Sequence, residues 1–248
     1  MRSNRRRSHR LWPAVSLAVA LVLASSSTAL AAGKPGYPDK FTWSGATWAI
    51  KTSRSPVGPG PNTFSKANVS VDGQGRLHLW ITQDSSGAWT AAEIVGSTTY
   101  GYGTYTFTID SPVGALDPNV VLGLFTWSDK ARFAHREIDI EFGRWGVAND
   151  PTNAQYVVQP YDAAGHLVRF TQPADTTTTH QFSWQPGRID WQSRTSAGAE
   201  IGAYTYQGSD VPPSGDETVR LNLWLVGGAA PTDGRAVEVI ITSLTFAR

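Results

Sequence analysis

Residues 134–143 read Ala-His-Arg-Glu-Ile-Asp-Ile-Glu-Phe-Gly, a segment in which acidic and apolar side chains alternate. Successive side chains of a β-strand point to opposite faces of the sheet. The apolar side chains, which would enter a core, are Ile138, Ile140 and Phe142. The acidic ones, which would share the other face with His135, are Glu137, Asp139 and Glu141. The chain has only six glutamates, so two within five residues is a local concentration of acid.

Short β-prone runs separated by turn residues recur on both sides of this segment. They cover residues 41–50, 68–71, 76–82, 89–95, 103–109, 120–127, 137–142, 154–159, 166–170, 180–184, 188–192, 201–206, 219–226 and 236–246. No long segment keeps the 3.6-residue period of a helix. About thirteen strands without helices between them predict an all-β sandwich of two sheets. We expect one domain over residues 41–248, after an irregular lead-in at 32–40.

The first 31 residues have the pattern of an export signal. Five arginines precede an apolar run at 11–24, and Ala29-Leu30-Ala31 matches a small-x-small cleavage site. The run is shorter than the roughly 20 apolar residues of a transmembrane helix, so a cleaved signal is favoured over a membrane anchor. We therefore expect a secreted, extracellular product that is free of the membrane after cleavage.

Removal of that signal changes the sign of the net charge. The whole chain has 21 basic and 20 acidic residues, and loss of five arginines leaves 16 against 20. A nucleic-acid partner would need a basic patch, and none is indicated. The chain has no cysteine, which excludes disulfides, thiolate metal sites and a cysteine nucleophile.

A row of carboxylates on one strand is the arrangement that glycoside hydrolysis uses. One carboxylate attacks the sugar or activates water, while a second, kept protonated, gives a proton to the leaving oxygen. Crowding of like charges raises at least one pKa, which keeps an acid protonated near neutral pH. Two other interpretations stay open from the residues alone: a solvent-facing acidic strand, and a site for a hard cation such as calcium.

The segment His-Arg-Glu-Ile-Asp-Ile-Glu-Phe resembles the active-site strand of glycoside hydrolase family 16, in the uninterrupted form of its licheninase branch. Further segments of the chain resemble this family in the same order. They are Ala92-Glu93-Ile94, the run at 100–105, Leu124-Phe125-Thr126-Trp127, the run at 180–189, and Leu221-Asn222-Leu223-Trp224. The resemblance implies a β-jelly-roll of the concanavalin A type, in which two antiparallel sheets form a concave glycan cleft.

The resemblance also implies roles for individual residues. Glu137 would be the nucleophile, Asp139 its electrostatic helper and Glu141 the general acid/base. The positions where the family lines its cleft are Glu93, Trp127, Gln159, Asn222 and Trp224. Tryptophan can stack on a sugar ring, while amides and carboxylates bond its hydroxyls. Glu93 could instead form a surface salt bridge.

Some positions depart from the licheninase pattern. His135 stands where an aromatic residue is usual, and it could tune the acids, bind substrate or simply begin the strand. Val95 replaces an arginine, and no aspartate near residues 240–242 completes the family's structural calcium site. The sequence therefore gives calcium no support and indicates no metal or other cofactor. We expect Trp184 and Trp191 to be core residues.

Taken together, the sequence predicts a secreted, monomeric, endo-acting retaining glycoside hydrolase. Its partner would be a polysaccharide, with a β-linked glucan (β-1,3/1,4) as the first candidate. A lectin-like protein without turnover and a transglycosylase using the same acids are the alternatives.

Overall fold

Two antiparallel β-sheets form the fold in the computed structural model, which describes residues 34–248. The strands of these residues are β1 Gly36–Trp43, β2 Ala46–Thr52, β3 Val69–Val71, β4 Leu77–Gln83, β5 Trp89–Thr90, β6 Ala92–Gly96, β7 Gly103–Asp110, β8 Val120–Trp127, β9 Ile138–Phe142, β10 Ala154–Val158, β11 Leu167–Phe170, β12 Thr177–Gln185, β13 Arg188–Thr195, β14 Glu200–Gln207, β15 Thr218–Leu225 and β16 Val237–Ala247. The only helical segments among the same residues are three-residue 3₁₀ turns.

The strand order brings residues that are distant in the chain side by side. The front sheet has the order β1-β2-β6-β15-β8-β9-β10-β11. The back sheet has the order β14-β13-β12-β7-β16-β4-β3, with β5 paired to β4. Because β15 lies between β6 and β8, the C-terminal part of the chain contributes to the centre of the front sheet.

The core lies between the two sheets and is built from alternate residues of each strand. From the front sheet it takes, for example, Leu122, Leu124 and Ile140, all without solvent exposure. Trp184 and Trp191 enter from the back sheet at 0% and 2% exposure, which confirms that they are core residues.

The first predicted strand is in fact a hairpin. Residues 41–50 divide between β1 and β2, with Ser44 and Gly45 in the turn at φ +49° and +73°. Positive φ at both central turn positions suits the twist of a two-residue hairpin. In addition, β1 begins at Gly36, inside the segment expected to be irregular, because its partner β2 extends the pairing to Thr52.

The predicted export signal lies outside the residues that the structure describes, so its prediction stands on the sequence alone. Within residues 34–248, no helix is long and apolar enough to span a bilayer.

Candidate active site

The apolar and the acidic side chains of β9, together with Glu137 directly before it, lie on opposite sides of the front sheet, as the sequence predicts. Ile138, Ile140 and Phe142 have 0% exposure and belong to the core. The three carboxyl groups line a cavity of about 260 Å³ on the outer face of the front sheet; they belong to Glu137, Asp139 and Glu141. The burial of the apolar face fixes the register of the strand, because a shift by one residue would exchange the two faces.

The segment before β9 departs from the predicted strand. Four consecutive residues, Phe133–Arg136, have φ between +46° and +61° and form a left-handed turn. Non-glycine residues rarely adopt this conformation, and each costs on the order of 1 kcal/mol or more. The turn is held by Thr126, whose hydroxyl donates to the Arg136 carbonyl (2.8 Å) and accepts from the Ile138 amide (3.2 Å).

His135 is therefore not on the strand face that carries the acids, and that part of the prediction is wrong. Its ring stacks on Trp127 with centroids 4.1 Å apart and planes at 10°. Its Nδ1 lies 2.8 Å from the Ser128 carbonyl oxygen, so Nδ1 carries the hydrogen. His135 thus supports the aromatic wall of the cavity instead of facing Glu137.

A continuous row of cleft-facing positions runs across the front sheet. The paired residues, taken from β6 to β11, are Glu93, Asn222, Gly123, Glu141, Gln155 and Arg169. Neighbouring strands lie about 4.8 Å apart, so these six positions span roughly 24 Å. That length accommodates an extended ligand lying across the strands.

Gly123 leaves a gap in this row beside Glu141. A Cβ atom at this position would lie 2.4 Å from Asn222 Oδ1, a contact that real Cβ atoms do not make. Asn222 is 3% exposed, and its Oδ1 has no donor among the described residues. The glycine therefore creates room on the cavity floor, and an unsatisfied acceptor points into that room.

Most of the residues predicted for the site line the cavity. Besides the three acids, the predicted residues that line it are Glu93, Trp127, Asn222 and Trp224. Gln159 does not line it: this residue follows β10 and donates a hydrogen bond to Asp139. Tyr161 N donates to Gln159 Oε1 at 3.0 Å, which leaves the Gln159 amide nitrogen as the donor toward Asp139.

Burial raises the pKa values of all three acids, and repulsion between carboxylates adds to this effect at Glu137 and Asp139. For Glu137, burial and then the charge of Glu141 raise the pKa to about 8. The pKa of Asp139 is raised well above its ordinary value, by burial first and then by both glutamates. Burial raises the pKa of Glu141, while a hydrogen bond from Gln155 acts in the opposite direction.

Asp139 holds its proton more firmly than Glu137 does. Its Oδ2 is buried and receives no hydrogen bond from any described donor, which favours the neutral carboxyl group. The hydrogen bond that joins the Asp139 and Glu137 carboxyl groups lowers the pKa of Glu137, as a donor does, and raises that of Asp139. Glu137 therefore gives up its proton before Asp139 does, and the first ionised form of the pair has its charge on Glu137.

A buried ionic network supports one side of the cavity, and the sequence did not reveal it. Glu93 is 1% exposed, and its Oε2 lies 2.7 Å from Lys51 Nζ. The Arg220 guanidinium lies 3.5 Å from Glu93 Oε1 and 2.8 Å from Asp129 Oδ1. Glu93 is thus neither a surface salt bridge nor a free ligand, because two cations neutralise it.

The two cleft tryptophans differ in how much of the ring is free. Trp127 is stacked by His135, has the Arg220 guanidinium 5.6 Å from its centroid, and donates from Nε1 to Asp129 at 3.0 Å. Trp224 lines the same cavity, and no other ring stacks on it within residues 34–248. Trp224 therefore presents an open aromatic face to the cavity, and Trp127 forms a supported wall.

Sequence reasoning missed Lys51, Phe125 and Arg220 as cavity residues. Phe125 and Arg220 alternate with the apolar core residues of β8 and β15. The alternation along these strands could therefore have identified both as residues of the outer face. Lys51 lines the cavity from β2, and no local sequence pattern indicated that β2 pairs with β6.

Comparison with known proteins gives one relative in sequence. No protein-family model matches the chain. A Beta-glucanase from Paenibacillus macerans is 27% identical over 183 residues, which cover 72% of this chain and 71% of that protein.

Solved structures share the fold. The beta-glucanase of Bacillus licheniformis matches with a TM-score of 0.63 and 22% identity, over 87% of this chain and 99% of that chain. A mixed-linkage glucan PUL protein of glycoside hydrolase family 16 from Bacteroides ovatus, solved in complex with a G4G4G3G product, has a TM-score of 0.63 and 15% identity, over 86% and 99%. A laminarinase from Flavobacterium sp. UMI-01 has a TM-score of 0.61 and 13% identity, over 81% and 93%. The predicted β-jelly-roll is confirmed.

Proposed function

We propose that this protein is a secreted, endo-acting glycoside hydrolase that cleaves a β-linked glucan with retention of configuration. The observation that carries the proposal is the row of Glu137, Asp139 and Glu141 on the floor of a cavity that crosses the front sheet. The similarity to a beta-glucanase in sequence, and to glucan-cleaving enzymes in fold, supports a glycosidase acting on such a substrate.

The proposed reaction has two displacement steps. In the first, a Glu137 oxygen attacks the anomeric carbon while Glu141 gives its proton to the departing glycosidic oxygen. A covalent glycosyl-Glu137 ester results, and the other part of the glucan leaves with a new hydroxyl group. In the second, Glu141 removes a proton from water, the water oxygen attacks the anomeric carbon, and the Glu137 carboxylate is released. Two inversions give net retention.

Once the pair of Glu137 and Asp139 has lost one proton, the surroundings of the acids favour the charge states that this reaction requires. Asp139 holds a proton and donates it in a hydrogen bond to Glu137, which favours the carboxylate needed for attack. The charge of Arg220 also lowers the pKa of Glu137. Glu141 has its pKa raised by burial, so it is protonated at a pH where an exposed glutamate is not.

The groups around the acids suit a neutral polysaccharide. Trp224 offers an apolar face for a sugar ring, and the unsatisfied Asn222 Oδ1 can accept from a sugar hydroxyl. The gap at Gly123 allows the sugar to approach Glu141 closely. Because the row continues over several strands on both sides of Glu141, the chain favours cleavage inside a glucan over removal of its ends.

The test is hydrolysis of a panel of β-1,3-, β-1,4- and mixed-linkage glucans by the wild type, Glu137→Gln and Glu141→Gln. Glu200→Gln, on the exposed edge strand β14, is the matched control. We expect each cleft variant to lose at least about 100-fold in kcat/KM, as loss of a nucleophile or general acid does, and the control to retain full activity. Wild-type activity in either cleft variant would refute the assignment.

The stereochemistry of the first product is a second, independent readout. ¹H NMR should show the β-anomer before mutarotation, and an α-anomer would contradict a retaining mechanism. A protein that binds glucan without producing reducing ends would be lectin-like. Transfer products with an added oligosaccharide acceptor would identify a transglycosylase.

A further inference from the structure

A chain of hydrogen bonds runs from Glu141 away from the cavity and across two strands. Gln155, opposite Glu141 on β10, donates from Nε2 to Glu141 Oε2 at 2.6 Å. Arg169, opposite Gln155 on β11, donates from its guanidinium to Gln155 Oε1 at 3.2 Å. Gln155 is 7% exposed and Arg169 is partly exposed, so the chain leads from the buried acid to the edge of the sheet.

Arg169 is held in place on its far side. Its guanidinium donates to Asp150 Oδ2 at 2.9 Å, and to the carbonyl and hydroxyl of Thr152 at 2.8 and 2.6 Å. The same group lies 4.5 Å from the centre of the Trp145 ring. Four contacts around one planar group fix its orientation, so Arg169 presents a donor to Gln155 in a defined direction.

We refer to the hydrogen-bonded chain of Arg169, Gln155 and Glu141 as the relay. The chemistry of these side chains allows its donors and acceptors only one order. A guanidinium only donates hydrogen bonds, so the amide oxygen of Gln155 must face Arg169. The amide nitrogen must then face Glu141, and a nitrogen donor is accepted much better by the carbonyl oxygen of a protonated carboxyl group than by its hydroxyl oxygen. The exchange of amide oxygen and nitrogen, which an isolated glutamine could make freely, is blocked by Arg169.

We propose that Gln155 and Arg169 are positioning residues for Glu141: Arg169 fixes the amide of Gln155 so that Glu141 Oε2 always accepts, and Oε1 alone carries the catalytic proton. This inference rests on the proposed function, since it gives Glu141 the role of general acid/base. In the first step Oε1–H breaks as the leaving oxygen gains its proton, and in the second Oε1 regains a proton from water. Gln155 and Arg169 exchange no proton in either step.

The other groups near Glu141 do not provide this control. The neighbouring acids are Asp139 on the same strand and Glu137 directly before it. On β8 the opposite position is Gly123, and beyond it on β15 lies the uncharged Asn222. Arg169 is the cation that lowers the pKa of Glu141.

The chain contains a matched control for this relay. On the back sheet Arg194 donates to Gln192 Oε1 at 3.0 Å, and Gln192 Nε2 donates to Glu200 Oε2 at 3.3 Å. This is the same Arg-Gln-Glu order on the solvent-facing side of β13 and β14. Arg194→Met therefore removes an equivalent guanidinium without touching the cavity.

The experiment measures pH profiles of kcat/KM for the wild type, Arg169→Met, Gln155→Met and Arg194→Met. A glucan and an aryl β-glucan oligosaccharide with a good leaving group, which needs little proton donation, are the two substrates. For Arg169→Met we expect the alkaline limb, which reports loss of the Glu141 proton, to move up by about 0.5–1 pH unit, because a positive charge and a fixed donor are lost. Glucan cleavage should fall about 10-fold and aryl cleavage less than about 3-fold in Arg169→Met and Gln155→Met.

A purely structural role for the relay would lower the rates on both substrates equally and leave the alkaline limb in place, and that result would overturn the proposal. Melting temperatures identify any variant that fails to fold, and Gln155→Met leaves the Asp150–Arg169 anchor intact.

If the proposed function is wrong, wild type and Arg194→Met will both be inactive, and this result differs from every outcome that concerns the relay alone. The relay is still measured in that case by ¹³C NMR titration of the Glu141 carboxyl carbon, assigned with Glu141→Gln. A pKa of Glu141 that is the same in wild type and Arg169→Met would refute the proposed role of Arg169.

Discussion

The glycine on the cavity floor provides a sharp test of how the site is built. In Gly123→Ala the new Cβ would lie 2.4 Å from Asn222 Oδ1 and 3.4 Å from Asn222 Cγ. Relief of the first contact requires about 1 Å of movement by a short, buried side chain. Overpacking of this kind costs about 1–3 kcal/mol, partly offset by about 0.4–1 kcal/mol from the stiffer unfolded chain.

We therefore expect Gly123→Ala to lose about 1–2 kcal/mol in the free energy of unfolding, which corresponds to roughly 2–8 °C in Tm for a domain of this size. Its kcat/KM on glucan should fall about 10- to 100-fold, because the methyl group fills the space beside Glu141 and displaces Asn222. Thermal melts and initial rates measure the two effects.

Gly73→Ala is the matched control, since a Cβ there meets no atom within 4 Å. It should keep the wild-type rate and a Tm at or above the wild-type value. A Gly123→Ala protein with unchanged Tm and kcat/KM would show that the floor of the cavity is wider than the structure indicates, and would refute the reasoning.

Three further results are expected. Lys51→Met should destabilise the fold by about 3–5 kcal/mol in urea, because Glu93 loses its 2.7 Å partner while it stays buried; an unchanged midpoint would contradict this. His180 has its pKa lowered by burial to about 3 against an ordinary 6.5, so the unfolded chain gains the proton first and stability falls as the pH drops below 6.5. That loss should be about 2–3 kcal/mol between pH 7 and 4.5 in wild type and absent in His180→Gln, as chemical unfolding at each pH can measure. Trp224→Ala should raise KM about 10-fold at unchanged Tm; an equal KM would exclude its ring from sugar binding.

Much of the fold was accessible from the sequence because strand alternation is a local signal. The apolar and acidic faces of β9 followed from alternate residues, and the buried Trp184 followed from its place in a β-prone run. The hairpin of β1 and β2 was missed because Ser44 is not a typical residue for positive φ, so the turn at Ser44-Gly45 had only a glycine to mark it.

The parts of the site that sequence reasoning missed are contacts between distant strands. Lys51 and Glu93 are 42 residues apart, and Arg220 reaches Glu93 across 127 residues. No periodicity links such positions, since only the order of strands in the sheet makes them neighbours. His135 was misplaced for a different reason. Local propensity opposes a left-handed turn at non-glycine residues, and this turn is maintained by hydrogen bonds with Thr126.

The opposed faces of β9 restrict how its sequence can evolve. Unless a β-bulge absorbs the change, the insertion or deletion of one residue between the left-handed turn and Phe142 would bring carboxylates into the core and Ile138 and Ile140 into the cavity. Stability and activity would be lost in the same event, so no intermediate retains one of the two. We expect length variation among functional variants of this protein to occur in the loops around β9, while the segment Glu137–Phe142 changes by substitution or by a β-bulge that keeps both faces in place.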